Sequence, residues 1–158
     1  MDSVRSTEVN NQPTGIRLPE NALPFDLEYV SDSFVSGRQQ RYIEIQYFRG
    51  SKPENFYARV LFHKEAQGAP DIVHGGAIAA VFDETMGAIC LVLDQPAVTA
   101  TMTVDYRIPV PVEKEFLVEA RLEKTERRKF FITARMLDEQ QKVFAESKAI
   151  YVKTLNNG

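Results

Sequence analysis

The 158 residues include a single cysteine, Cys90, so no disulfide can close within the chain and a reducing compartment is the default. Histidine is almost as scarce. His63 and His74 are the only two, and they make no recognisable zinc ligand set, so neither a metal nor another cofactor is expected. There is no strong excess of charge. The 19 Lys and Arg against 22 Asp and Glu leave a net charge of -3, which argues against a polyanion binder and against nucleic acid as a partner. Nor is there a long uncharged apolar run: the best candidate, Ala77 to Leu93, holds Asp83 and Glu84 in its middle, whereas a membrane span needs about 20 residues with few or no charges. The opening MDSVRSTEVNNQPTG lacks the apolar core of a secretory signal and does not read as an amphipathic transit peptide, so a cytoplasmic location is expected. No internal repeat is visible.

What is present suits one compact domain with a substantial core, since 44% of the residues are hydrophobic. Residues 1–24 carry Pro13, Pro19 and Pro24 among polar residues and read as an extended or mobile arm, leaving 25–158 as the folded unit. A β-branched and aromatic run from Arg41 to Phe48 predicts a strand. Gly50 to Pro53 predict a turn, and Phe56 to His63 a second strand, the two forming a hairpin. Ala, Leu, Met and Ile then dominate to Leu93, too long for an ordinary strand, and Pro96 closes this helix. Four further strands are predicted at Val98 to Tyr106, Phe116 to Glu123, Lys129 to Leu137 and Val143 to Val152. Strands, one apolar helix and then consecutive strands make an α+β domain, with the helix packed on one face of an antiparallel sheet.

Two features of the helix carry chemistry. Ionised carboxylates in a buried helix cost several kcal/mol without partners, and adjacent residues point about 100° apart, so Asp83 and Glu84 cannot share one narrow polar edge; at least one should face a crevice. At the helix start, His74, Gly75 and Gly76 lie where backbone amides lack intrahelical acceptors, and the glycines let a ligand atom approach those amides. Such an end suits an anion or a developing oxyanion. Gly75 and Asp83 are nonetheless about 12 Å apart along one helix axis, too far to act on the same carbon. If they cooperate, they do so across an isologous dimer with two sites.

The segment VHGGAIAAVFDETMG, with the QGAP loop before it and VTATMTVDYRIP after the helix, resembles the hotdog-fold acyl-CoA thioesterases. The resemblance is to the phenylacetyl-CoA thioesterase-like branch of the 4-hydroxybenzoyl-CoA thioesterase superfamily, over roughly residues 56–152. The resemblance implies a curved antiparallel sheet wrapped around one long central α-helix, assembled as a homodimer and often as a dimer of dimers. It also implies an acyl-CoA substrate. Asp83 matches the catalytic carboxylate, as nucleophile or general base, and Gly75 the amide that polarises the thioester carbonyl. Thr99 matches a hydroxyl that orients the water or the acid, while Gln67 lies near an Asn or Gln position that relatives with Asn place one residue nearer the helix, at Gly68 here. His74 matches the motif histidine, with a positional role beside Gly76.

The residues themselves agree with this chemistry. A carboxylate and an amide donor suffice for thioester hydrolysis without a metal. Arg107, Arg127, Arg128 and Lys129, at strand ends, are candidates for the coenzyme A phosphates. Alternation places Thr101 and Thr103 on the same strand face as Thr99, so only the resemblance selects Thr99. His63 reads as a packed or edge histidine, and Cys90 as a small core residue. Two other readings stay open: a non-catalytic acyl-CoA binding module, and a hotdog hydratase or dehydratase, for which the expected acid–histidine pair is not apparent.

Overall fold

The computed structural model describes residues 15–27, 33–38 and 41–155. The first fourteen residues of the expected arm therefore lie outside the described part. Of the remainder, Ile16 is buried and Leu23–Pro24 form a short strand, β1. Then follow β2 (Ile43–Arg49), β3 (Asn55–Phe62), the helix α1 (Gly75–Val92), β4 (Ala97–Tyr106), β5 (Glu115–Glu126), β6 (Lys129–Leu137) and β7 (Val143–Lys153). Every strand and the helix predicted from Arg41 onward is present within a few residues of its expected bounds.

The seven strands form one antiparallel sheet in the order β1-β2-β3-β5-β6-β7-β4, curved around α1, which packs against β3 to β7. Alternation decides the inner face. On β3, Phe56, Ala58, Val60 and Phe62 are all fully buried, and on β5 Phe116, Val118 and Ala120 are at most 2% exposed. Each large side chain so enclosed contributes roughly 1.5–3 kcal/mol. The helix has a mean hydropathy of 1.5 over its 18 residues, enough by composition for a membrane span; here Val81, Phe82, Met86 and Ile89, all at 0% exposure, show that its apolar character serves the domain core.

One register detail corrects the sequence expectation. The pairing of β4 with β7 slips between Thr99 and Thr101: Thr99 lies opposite Tyr151, yet Thr101 lies opposite Ile150. A bulge at this point adds one residue to β4, and an extra residue inverts the faces beyond it. Met102 and Val104 therefore continue the inner side, opposite Ala149 and Ser147. Thr101 and Thr103 line an outer groove with Phe131, Thr133, Lys148 and Ile150. Simple alternation had placed the three threonines together; the bulge separates Thr99 from the other two.

Glu84 is committed to structure. Its carboxylate accepts the Tyr47 hydroxyl at 2.5 Å, the Ser33 hydroxyl at 2.7 Å and the amides of Ser36 and Val35 at 3.2 and 3.3 Å. These donors tie α1 to a single π-helical turn, Phe34–Arg38, and to β2, and they offset the cost of a carboxylate in this position. Glu84→Ala strips the buried Tyr47 hydroxyl of its acceptor and is expected to cost about 2–3 kcal/mol, or roughly 5–10 °C in Tm. An unchanged thermal denaturation midpoint would show that the clamp contributes nothing.

Candidate active site

The other helical acid has different surroundings. Asp83 is partly buried, and its Oδ1 accepts two hydroxyls: Thr99 Oγ1 at 2.6 Å from β4 and Tyr151 Oη at 2.8 Å from β7. The Tyr151 hydroxyl is also 2.9 Å from the Asp83 carbonyl oxygen. Tyr151 itself is 2% exposed, and burial, reinforced by the charge of Asp83, pushes its phenol far above the ordinary value. It therefore stays protonated and serves as a donor.

The glycine start of α1 and Asp83 in its middle meet opposite ends of β4, through Tyr106 and Thr99. At the N-terminus of α1, His74 Nδ1 accepts the Gly76 amide at 2.9 Å, capping the helix, and the His74 carbonyl accepts Ala77 and Ile78. The Gly75 amide has no acceptor among the described residues, as the first position of a helix allows. The Gly75 carbonyl accepts the Tyr106 hydroxyl at 2.7 Å, and a Cβ on Gly75 would stand 3.3 Å from the Tyr106 phenol, so a side chain there is crowded. Burial raises the Tyr106 phenol as well.

Beside this start is a groove of about 440 Å³, lined by Phe34, Tyr42, Ile43, Ala66 and Ala77 on its apolar side and by Gln67, His74, Gly76 and Glu65 on its polar side. Gln67 Oε1 accepts the Asp71 amide at 3.0 Å. At the neighbouring position a Cβ on Gly68 would come 3.3 Å from the His74 Cα, so here the loop backbone lies against the histidine and the amide side chain comes from residue 67.

The structure thus brings Gln67, His74, Gly75 and Gly76 together at one end of α1, and Asp83 with Thr99 at another place along it. It does not join the two groups within one chain, as the helix spacing requires. The cations divide likewise. Arg127, Arg128 and Lys129 form the β5–β6 turn, where Lys129 pairs with Val152, itself opposite Val98, so they flank the Thr99 end of β4. Arg128 donates to the Lys153 carbonyl at 2.8 Å. Arg107 follows the Tyr106 end and is held by Glu146 through Nε at 2.7 Å and a terminal nitrogen at 2.6 Å. His63 lies elsewhere, just past the end of β3, between Glu44 at 3.1 Å and Glu113 at 3.5 Å.

Tyr151 and Tyr106 were missed in the sequence, because a tyrosine on a strand carries no local sign of the partner its hydroxyl meets. The groove residues Phe34 and Tyr42 were missed for the same reason: their meeting with α1 is set by the tertiary fold.

A single long helix packed against a curved antiparallel sheet, among the described residues, defines a hotdog domain. Residues 71–145 match the thioesterase superfamily profile. The chain is 37% identical over 89 residues to the acyl-coenzyme A thioesterase THEM4 of Mus musculus, covering 55% of this chain and 38% of that protein. Among solved structures, zebrafish thioesterase superfamily member 2 superposes with a TM-score of 0.67 at 17% identity, covering 78% of this chain and 90% of that one. The PaaI protein of the E. coli phenylacetic acid degradation operon gives 0.64 at 15% identity, covering 72% and 80%; both structures show the shared fold. The thioesterase superfamily is thus what residues 71–145, just under half of the chain, are similar to, and the solved structures share its fold. The chain spans less than two thirds of the curated relatives it matches, 38% of mouse THEM4 and 64% of the rat protein.

Cys90 is 1% exposed, and burial pushes its thiol up to about 11 from 9.0. Tyr47 and Tyr151 are raised for the same reason. Groups whose folded value is raised stabilise the fold fully below their unfolded value and lose that contribution as pH climbs through the folded one. Stability is therefore expected to hold level with respect to these groups up to about pH 9 and then to fall, by up to about 1.4 kcal/mol per pH unit for each group. Urea midpoints measured from pH 7 to 11 check this; a midpoint that stays constant to pH 11 contradicts it.

Proposed function

We propose that this chain is an acyl-CoA thioesterase, releasing a free acid and coenzyme A at a site shared by two copies. The observation that carries the reading is the pair of half-sites on β4: Asp83 held by Thr99 at one end, and the open Gly75 amide beside Tyr106 at the other. Among the described residues β4 pairs only with β7 and closes one end of the sheet, so its other edge is open there for ten residues, with Val98 57% and Tyr106 52% exposed. An unprotected edge of this length is a template for another strand. Two such edges paired antiparallel about their midpoints set the Thr99 end of one beside the Tyr106 end of the other, which brings Asp83 toward Gly75 of the partner subunit.

In that arrangement the Gly75 amide, at the positive end of α1, polarises the thioester oxygen and holds the oxyanion. Asp83 attacks the carbonyl carbon or takes a proton from a water that does so. Gln67 and Thr99 orient the reacting groups, and the apolar groove beside Gly76 takes the acyl group. The exposed cations Arg127, Arg128 and Lys129 suit the coenzyme A phosphates; Arg107, already compensated by Glu146, suits them less.

Asp83→Asn is expected to lower thiol release from acyl-CoA at least ~100-fold with the fold intact, as followed with a thiol reagent. Full activity in that variant would reject the mechanism. Mixing it with Gly75→Val, inactive on its own, should restore about one quarter of the unaltered activity, because half the dimers are mixed and each mixed dimer holds one complete site. No recovery on mixing would place both groups within one subunit.

A further inference from the structure

We infer that Tyr151 is a positioning residue for the reaction: its buried hydroxyl, with that of Thr99, ties up Oδ1 of Asp83 and so leaves Oδ2 as the oxygen that reacts. The inference rests on the reading of Asp83 as the reacting carboxylate. Both hydroxyls reach the same oxygen, at 2.8 Å and 2.6 Å, and Oδ2 meets no donor among the described residues. A carboxylate held through one oxygen presents the other in a fixed direction, and preorganisation of this kind is worth more than an equivalent contact formed during the reaction.

The two donors are not equal. Thr99 lies on the terminal strand β4 and is exposed within one subunit, whereas Tyr151 is 2% exposed on an interior strand between β6 and β4 and is buried within its own chain. The buried bond is the stronger and the more rigid. Were Tyr151 only a packing residue, the Asp83 carbonyl at 2.9 Å would satisfy its hydroxyl; the same oxygen instead sits within reach of the side chain as well.

The helix is shaped to admit this ring. Gly87 lies one turn beyond Asp83, in a helix interior where glycine is disfavoured, and a Cβ there would stand 3.3 Å from Tyr151 Cε1. The glycine lets the phenol lie close against the helix and reach the acid.

The test is steady-state hydrolysis, using whichever of acetyl-, octanoyl-, palmitoyl- and phenylacetyl-CoA the unaltered chain turns over fastest. Tyr151→Phe is expected to lower kcat about 10-fold with KM held within about twofold, because only the aim of the carboxylate changes. Tyr151→Phe combined with Thr99→Val should approach the rate of Asp83→Asn, a loss greater than either single change. Gly87→Ala, which displaces the ring without touching the hydroxyl, should lower kcat in the same way while the helix itself gains propensity; it decides the matter if Tyr151→Phe does not fold. An unchanged kcat in folded Tyr151→Phe, or a loss confined to KM, overturns the inference while the thioesterase reading stands. Absence of thiol release from every substrate by the unaltered chain overturns that reading and this one together.

Discussion

Where α1 packs against the sheet it carries two carboxylates in succession, and both are drawn partly out of solvent. The angle between neighbours on a helix, about 100°, sends them to different surroundings, and each surrounding has to provide donors. Glu84 finds them in the backbone and hydroxyls of the 33–36 segment and in Tyr47, so its charge stitches the helix to the π-helical turn and to β2. Among the described residues Asp83 finds only hydroxyls, on β4 and β7, and both reach one oxygen. The first arrangement consumes the carboxylate's capacity; the second leaves part of it available.

The same constraint explains the oddities of β4. An ideally alternating strand that turned Thr99 toward Asp83 would also turn Thr101 and Thr103 inward, burying two more hydroxyls over the helix. The bulge after Thr99 avoids this: one threonine faces the acid, then Met102 and Val104 resume the apolar lining. Bulges often re-aim a side chain beside an active site, and this one separates a polar station from an apolar one within three residues.

The fold was legible in the sequence to an unusual depth because its signals are local. β3 alternates with a period of two, α1 is a long apolar run closed by Pro96, and the turn at 50–53 carries Gly50 and Pro53. The candidate site was legible only where a motif supplied the register: HGG with Asp83, and Thr99 by resemblance. Its distant members were not. Tyr151 is 68 positions from Asp83 and Tyr106 is 31 from Gly75, and no periodicity links residues that meet through the sheet order. The bulge was equally silent, since Ala100 within TATMT looks like any other strand residue. Glu84 illustrates a third kind of gap: the expense of its burial was evident, but the segment that compensates it has no regular pattern of its own.

β4 also explains why a site split between two copies can be accurate. Each half is anchored to a rigid element of its own chain: the Gly75 peptide by the His74 cap and the Tyr106 hydroxyl, the Asp83 carboxylate by Thr99 and Tyr151. One anchor of each half, Tyr106 and Thr99, belongs to β4. In the proposed dimer the strand that forms the interface is therefore the strand that holds both reacting groups, and backbone pairing along it fixes their separation without any further contact between them. Strand register changes only in whole-residue steps, so an error in assembly would displace the acid by several ångströms rather than by a fraction of one. Correct pairing and correct chemistry become the same condition, and a lone subunit, with its halves about 12 Å apart along α1, has neither.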